Sequence, residues 1–365
     1  MSKFQVLFAL IITVIFIIPQ TGQTCTAFCL DSDNGPLVGK NYDWNIGDGL
    51  IIVNKRDLSK TAATPDNPVS WVSKYGSVTF NQYGREMPNG GMNEAGLVVE
   101  VLWLNDCQYP RPDSRPALGN MQWIQYQLDN YSTVAEVIAG DSKLRINPDQ
   151  GVKVHYFVCD SSGAGASIEF LGGKMVYHTD STMPAEAITN STYAESFEYL
   201  KRFNGFGGDI PIGKRDDSID PLSKWGSLMR FVRAADHIAR YEKGKSNQID
   251  YMFETLSDVD SGTRTQWSIV YNIETQRVYF KTISNAKIKY FDLGEFDFDC
   301  DKPVKMLNIN VDLSGNVAGD FEFYSVKANR NLLERTFKNT GFIRNSSSEL
   351  LDAMAAYPEM MTCGD

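Results

Sequence analysis

Cys25 is the residue of this 365-residue chain whose type and position could do chemistry. It stands directly behind a stretch with the marks of a removable leader. Lys3 gives a positive start, Val6 to Ile18 is an uncharged apolar run, Pro19 breaks it, and Thr21-Gly22-Gln23-Thr24 makes a small, polar exit. That run is shorter than the roughly 20 apolar residues a spanning helix needs. The pattern therefore predicts a signal peptide over residues 1–24, an extracytoplasmic product, and no stable membrane insertion once the leader is gone. Cleavage after Thr24 would leave Cys25 first, with a nucleophile and a base on one amino acid. An α-amino group has a reference pKa of about 7.7 and a thiol one of about 8.5. The amine can thus take the thiol proton during attack and return it to a departing amine. Two other readings of a first cysteine are a lipidated bacterial anchor and an ordinary structural thiol. Lipidation signals normally place Gly or Ala before the cysteine and Leu three before it, where Thr24 and Gly22 stand here.

The elements around Cys25 must place partners beside it. Cys-Thr-Ala-Phe-Cys-Leu, the turn residues Asp31-Ser-Asp-Asn-Gly35, and a second apolar run ending Gly39-Lys40-Asn41-Tyr42-Asp43-Trp44 predict a β-hairpin. Cys25 and Cys29 then share a face about 13 Å apart, beyond the ~7 Å that a disulfide allows. The returning strand brings Lys40 and Asp43 near the first residue, where a carboxylate could bond the thiol or hold the amine.

Cys25 with Gly39-Lys40-Asn41-Tyr42-Asp43, then Gly91-Met92-Asn93-Glu94-Ala95-Gly96-Leu97, Ile188-Thr189-Asn190-Ser191 and Arg230-Phe231-Val232-Arg233-Ala234, resembles the choloylglycine hydrolase family. These linear-amide C–N hydrolases include penicillin V acylases and conjugated bile salt hydrolases. The resemblance implies an N-terminal-nucleophile hydrolase of α+β class, a four-layer αββα sandwich, without a cofactor. It places the nucleophile on Cys25, the amine-orienting carboxylate on Asp43, an oxyanion-hole side-chain N–H on Asn190 and a thiol-tuning arginine on Arg230. Trp103 falls at the second oxyanion position, acting through its backbone N–H while its ring and that of Trp44 line the pocket. Lys40 stands where familiar members carry arginine, keeping the charge without the planar fork. The segment between Asn190 and Arg230 is shorter than in the tetrameric members, so a homo-oligomer is open.

Periodicity reads some of these residues differently. In the helical stretch Lys224 to Lys243, Leu228, Phe231, Val232, Ala235, Ile238 and Ala239 form the apolar stripe. Arg230 lies off it and reads as solvated. Asp43 could simply end a strand. Asn190, Asn130 and Asn345 each begin a glycosylation-type triplet. His155, His178 and His237 are scattered without metal-ligand spacing and read as structural.

From Cys25 the chain has 341 residues, and losing Lys3 makes its formal charge 34 minus 45, or −11. That disfavours a nucleic-acid partner. Apart from Cys25 five cysteines remain, so one at least stays unpaired within a monomer, and the chain is no disulfide scaffold; spacing leaves a Cys300–Cys363 pair open. No repeat or linker appears, which suggests one domain over 25–365. Strands are expected at Leu50–Asn54, Val78–Gln82 and Gly96–Leu104. A helical Met121–Ala139 is interrupted near Ser132. A meander follows over Val152–Cys159, Ala166–Phe170 and Lys174–His178. Then come helices at Tyr193–Phe203 and Lys224–Lys243, a hairpin at Trp267–Tyr271 and Arg277–Thr282, and terminal helices. Such grouping of strands and helices suits layered α+β architecture. The function expected is amidohydrolysis of a small N-acyl amide, with penicillin V, bile salts, N-acyl homoserine lactones and N-acyl lipids as competing substrates. An acyltransferase using the same Cys25, or an inactive binding protein or lipoprotein, would be alternatives.

Overall fold

The computed structural model describes residues 24–148 and 152–364; of the leader read over 1–24, all but Thr24 lies outside them. The expected hairpin is present. β1 (Cys25–Ser32) runs antiparallel to β2 (Gly35–Asp43), with Cys25 opposite Tyr42 and Ala27 opposite Lys40. Gly35 closes the turn at φ +86°, a left-handed conformation that glycine alone takes freely.

The strands of the two large sheets are numbered in chain order. β3 is Leu50–Asn54, β4 Ser77–Asn81, β5 Gly90–Asn93, β6 Val98–Trp103, β7 Val154–Cys159 and β8 Gly165–Leu171. β9 is Lys174–Thr179, β10 Ala187–Ile188, β11 Thr265–Asn272, β12 Arg277–Thr282 and β13 Lys289–Asp292; β14 is Lys305–Asn308, β15 Gly315–Asn316 and β16 Glu322–Phe323. One sheet has the order β10-β1-β2-β11-β12-β13-β15, the other β9-β8-β7-β6-β5-β4-β3-β14-β16. The helices are α1 (Asn120–Asn130), α2 (Val134–Gly140), α3 (Tyr193–Leu200), α4 (Lys224–Arg240), α5 (Gln248–Asp258), α6 (Val326–Asn339) and α7 (Ser348–Ala356).

Strand alternation sorts the first sheet into two faces. Cys29 looks toward the second sheet, where its Sγ lies 3.1 Å from Cys159 Sγ on β7; both are free thiols. Phe80 of β4 meets Tyr271 and Phe280 across the same interface at ring separations of 6.2 and 5.9 Å. The other face packs on α4 and α5 through Phe28, Phe231, Val232, Met252 and Leu256. It is so close that a Cβ on Gly39 would lie 2.6 Å from Phe28 and 2.9 Å from Met252. On the far side of the second sheet, Trp123 of α1 stacks on Tyr156 of β7 at 4.2 Å. The layers are therefore helix, sheet, sheet, helix, as expected.

The meander and the 265–282 hairpin form in the anticipated order. The expected helical break falls between α1 and α2, where Thr133 and Glu136 make a capping box. Two helices stop short of their expected ends. α4 ends at Arg240 because Tyr241 turns extended, its ring against Tyr251 at 5.0 Å and its hydroxyl on Asp33. α3 ends at Leu200, and Phe203 turns inward to bridge Ile210. Beyond β14 the chain forms an arm of α6 and α7. Leu332 joins Leu50, Ile52 and Met306 in one apolar cluster, while Leu333, Phe337, Leu351 and Ala355 form another. Cys300 and Cys363 are joined by a disulfide.

Candidate active site

Cys25 opens β1 and is buried. Its surroundings come from four chain segments. The first is the end of β2, where a β-bulge shifts the register with β11 so that Thr265 lies opposite Asp43 and Trp267 opposite Tyr42. The distortion lets Thr265 Oγ1 donate to Asp43 Oδ1 at 2.6 Å, while Ser261 Oγ donates to Oδ2 at 2.7 Å. Burial raises the Asp43 pKa; Arg230 and the hydroxyls of Thr265, Ser261 and Thr24 oppose the shift. Asp43 also places its backbone N–H on the Cys25 sulfur.

The second segment is β10, which pairs on the free edge of β1, Ala27 opposite Ile188. It delivers Asn190 alongside Cys25. The Cys25 main-chain nitrogen donates to Asn190 Oδ1 at 2.7 Å, and Arg230 Nη2 donates to the same oxygen at 2.8 Å. Asn190 Nδ2 in turn donates to the Trp103 carbonyl at 2.9 Å. Two donors on one side and an acceptor on the other fix the amide orientation. Nδ2 carries a second N–H, which that bond leaves unused. Support comes from behind: Ser227 Oγ of α4 accepts the Asn190 N–H at 2.9 Å, and His155 Nε2 donates to the Thr189 carbonyl at 2.7 Å.

The third segment is α4. Periodicity assigns Arg230 to solvent, yet it is buried beside Cys25. Donating to Asn190 and, from Nη1, to the Pro221 carbonyl at 2.8 Å offsets part of the cost of burying its guanidinium, whose pKa burial still lowers. The fourth segment is β6. Trp103 pairs with Val154 of β7, and the next pair is bonded through Leu104 N–H to Lys153 O. In an antiparallel ladder such bonded pairs alternate with unbonded ones. Trp103 therefore turns both its carbonyl and its N–H away from β7 and toward Asn190.

Lys40 is placed otherwise than a pocket residue would be. It is buried, with Nζ donating to the Val101 carbonyl and lying 3.9 Å from Glu100. β2 points it into the second sheet, so it reaches Cys25 through its charge. Glu100 also accepts from Tyr271 Oη at 2.5 Å, and burial pushes its pKa to about 7. The Cys25 thiol is itself raised, chiefly by burial and secondarily by Asp43, against the lowering effects of Lys40 and Arg230. Trp44 and Trp103 are both buried, and Trp103 Nε1 donates to Asn105 at 2.7 Å.

A model of the "Linear amide C-N hydrolases, choloylglycine hydrolase family" matches residues 25–306, starting at Cys25 itself. The chain belongs to that family. It is a hydrolase of linear amides with the family's α+β fold. It is 26 % identical over 320 residues to a penicillin V acylase of Pectobacterium atrosepticum, covering 75 % of this chain and 82 % of that protein. The structure of a penicillin V acylase from Agrobacterium tumefaciens superposes with a TM-score of 0.69 at 24 % identity, over 83 % of this chain and 98 % of that one. A single-site variant of a conjugated bile acid hydrolase from Clostridium perfringens gives 0.63 at 20 % identity, over 80 % and 98 %.

This linear amide hydrolase thus brings Cys25, Asp43, Asn190, Arg230 and Trp103 together, with Lys40 beneath them. Sequence reasoning missed Ser261, Thr265, Glu100 and Tyr271. Glu100 carried a signal, a lone charge in the apolar run Val98-Val-Glu-Val-Leu-Trp103; the hydroxyls of Ser261 and Thr265 carried none. His178 and His237 pack on Tyr193 and Asp258, away from this network. No three metal-ligating side chains cluster among the described residues.

Proposed function

We propose that the mature protein begins at Cys25, acts outside the cytoplasm, and hydrolyses N-acyl amides of apolar acids through a Cys25 thioester. The observation that carries this reading is the Asn190 amide, gripped by the Cys25 nitrogen, Arg230 and the Trp103 carbonyl. In the full chain that nitrogen is a peptide N–H, and Thr24 before it is 1 % exposed, filling space beside Asp43. Removing residues through Thr24 frees an amine in place and vacates that space.

In this mechanism the amine takes the Cys25 proton as sulfur attacks the acyl carbon. The oxyanion receives the second N–H of Asn190 Nδ2 and the Trp103 backbone N–H. The ammonium returns its proton to the departing amine, and water then opens the thioester by the same route. Asp43, held by Ser261 and Thr265, and Arg230 fix the charge balance around sulfur and amine. The indoles of Trp44 and Trp103 supply apolar surface, worth about 25 cal/mol per Å² covered, which favours aromatic or medium-chain acyl groups over acetyl.

The test compares three proteins on phenoxyacetyl and fatty-acyl amides. Protein beginning at Cys25 should turn over, Cys25→Ala should not, and a stable extension through Thr24 should silence the enzyme until trimmed. Full activity with the extension in place would show that another group is the base. An intact mass carrying a diacylglycerol on Cys25 would exclude the mechanism.

A further inference from the structure

Phe342 is 40 % exposed, yet its ring is held against both indoles at the site. It lies 6.5 Å from Trp44, edge-on at 74°, and 6.2 Å from Trp103, tilted at 53°. The backbone beneath it is fixed. Thr340 is buried, Ile343 N–H closes a turn on the Thr340 carbonyl at 3.1 Å, and Ile343 packs with Tyr83 against the α6–α7 cluster. Tyr42, the residue paired with Cys25, donates its hydroxyl to Gln82 Oε1 at 2.7 Å. α6 is fastened to the same loops: Thr336 Oγ1 donates to Gln82 O at 2.9 Å, and Arg335 Nε to Asp48 Oδ1 at 2.5 Å. Gln82 in turn holds the chain just after Trp44, donating to the carbonyls of Ile46 at 3.0 Å and Asp48 at 2.9 Å. All of this arm lies past residue 306, where the family match stops.

We infer that the C-terminal arm supplies the third wall of the acyl pocket, and that Phe342 is a specificity-determining residue for the size of the acyl group. The inference rests on the reading that Cys25 hydrolyses acyl amides, and it adds who shapes the substrate. A phenylalanine that rests on two buried tryptophans and is still 40 % exposed keeps part of its ring face open. An aromatic or medium-chain acyl group bonded to Cys25 would cover that face; an acetyl group is too short to do so.

The experiment measures kcat/KM of mature wild type, Phe342→Ala and Phe342→Leu on phenoxyacetyl, decanoyl and acetyl amides of one amine. The ratio of large-acyl to acetyl turnover should fall about tenfold in Phe342→Ala, through KM more than kcat, in line with the loss of about one methylene's worth of pocket contact. Phe342→Leu should recover most of the decanoyl ratio and less of the phenoxyacetyl ratio. Titration of phenoxyacetic and decanoic acids against intrinsic tryptophan fluorescence should show the same weakening. Equal losses for all three amides, with acid binding unchanged, would overturn the assignment. A wild type that binds the acids in a Phe342-dependent way but hydrolyses no amide would sink the catalytic reading and leave this one standing. Thermal unfolding of each variant separates lost contact from lost fold.

Discussion

The β1–β2 edge and the C-terminal arm meet at Trp44 and Trp103, but they are built of opposite materials. At the edge, Asp43, Asn190, Arg230 and Lys40 are polar and nearly all enclosed, and each is tied by hydrogen bonds to a second element. The arm offers one apolar ring, partly open, on a turn fixed by packing. Buried polar groups tolerate no change that leaves a partner unsatisfied, whereas an apolar wall can be reshaped at modest cost. Under the proposed function the contrast separates reactivity from selectivity, and predicts that they can be damaged separately.

The sharpest way to break that separation is Asn190→Ala. It removes the proposed oxyanion donor and the acceptor of two N–H groups, so kcat should fall by ~10²–10³, equally for acetyl, decanoyl and phenoxyacetyl amides. A loss that depended on acyl length would show that Asn190 shapes the pocket as well. Trp103→Ala should do the reverse, lowering kcat/KM about tenfold for the large acyl amides and much less for acetyl. Uniform losses would mean that the ring supports the fold.

The smallest expected effect is that of Glu100→Gln, which keeps a partner for Tyr271 and removes a titrating acid near Lys40. With Lys40 less compensated, the Cys25 thiol should ionise more easily. The pH profile of iodoacetamide labelling of mature protein should then move down by less than about one unit. The same variant tests stability. Glu100 is raised from 4.5 to about 7, and Glu186 likewise, by burial. An acid whose pKa is raised on folding stabilises fully below its unfolded pKa and loses that contribution as pH climbs through the folded one. Wild-type Tm should therefore decline between about pH 4.5 and pH 7.5, and Glu100→Gln should flatten the slope. A labelling profile that moves upward would mean that Lys40 does not act on the sulfur.

How far the sequence disclosed this follows from the same contrast. Alternation along a strand put Cys25, Lys40 and Asp43 at one end of a hairpin, because pleat and turn are local properties. Trp44 and Trp103 were legible as large apolar residues on strand ends. Arg230 was misread by periodicity, since its burial depends on Asn190 and Pro221, forty and nine residues away. Only the match of motif blocks placed it. Ser261 and Thr265 depend on a bulge that no residue pattern announces. Phe342 was passed over because nothing in a turn after a helix says what lies across from it. The Cys300–Cys363 pairing needed three dimensions to be decided.

The disulfide and the Leu332 cluster carry a consequence for where this protein can be cut. The stretch recognisable by descent stops at residue 306, but the stretch that must fold together does not. A chain ended there would leave Cys300 without its partner and strip Leu332 from Leu50, Ile52 and Met306 at the margin of the second sheet. The cut would also fall inside β14, removing its pairs with Leu50 and Ile51 and all of β16, so β3 would be left with a largely open edge, a template for unwanted strand pairing. Closing a loop of 63 residues by a crosslink stabilises by about 4 kcal/mol in the chain-entropy view, a large share of the 5–15 kcal/mol that holds an ordinary domain folded. Ancestry and cooperativity draw different borders on this polypeptide, and a minimal version designed from ancestry alone would be expected to aggregate.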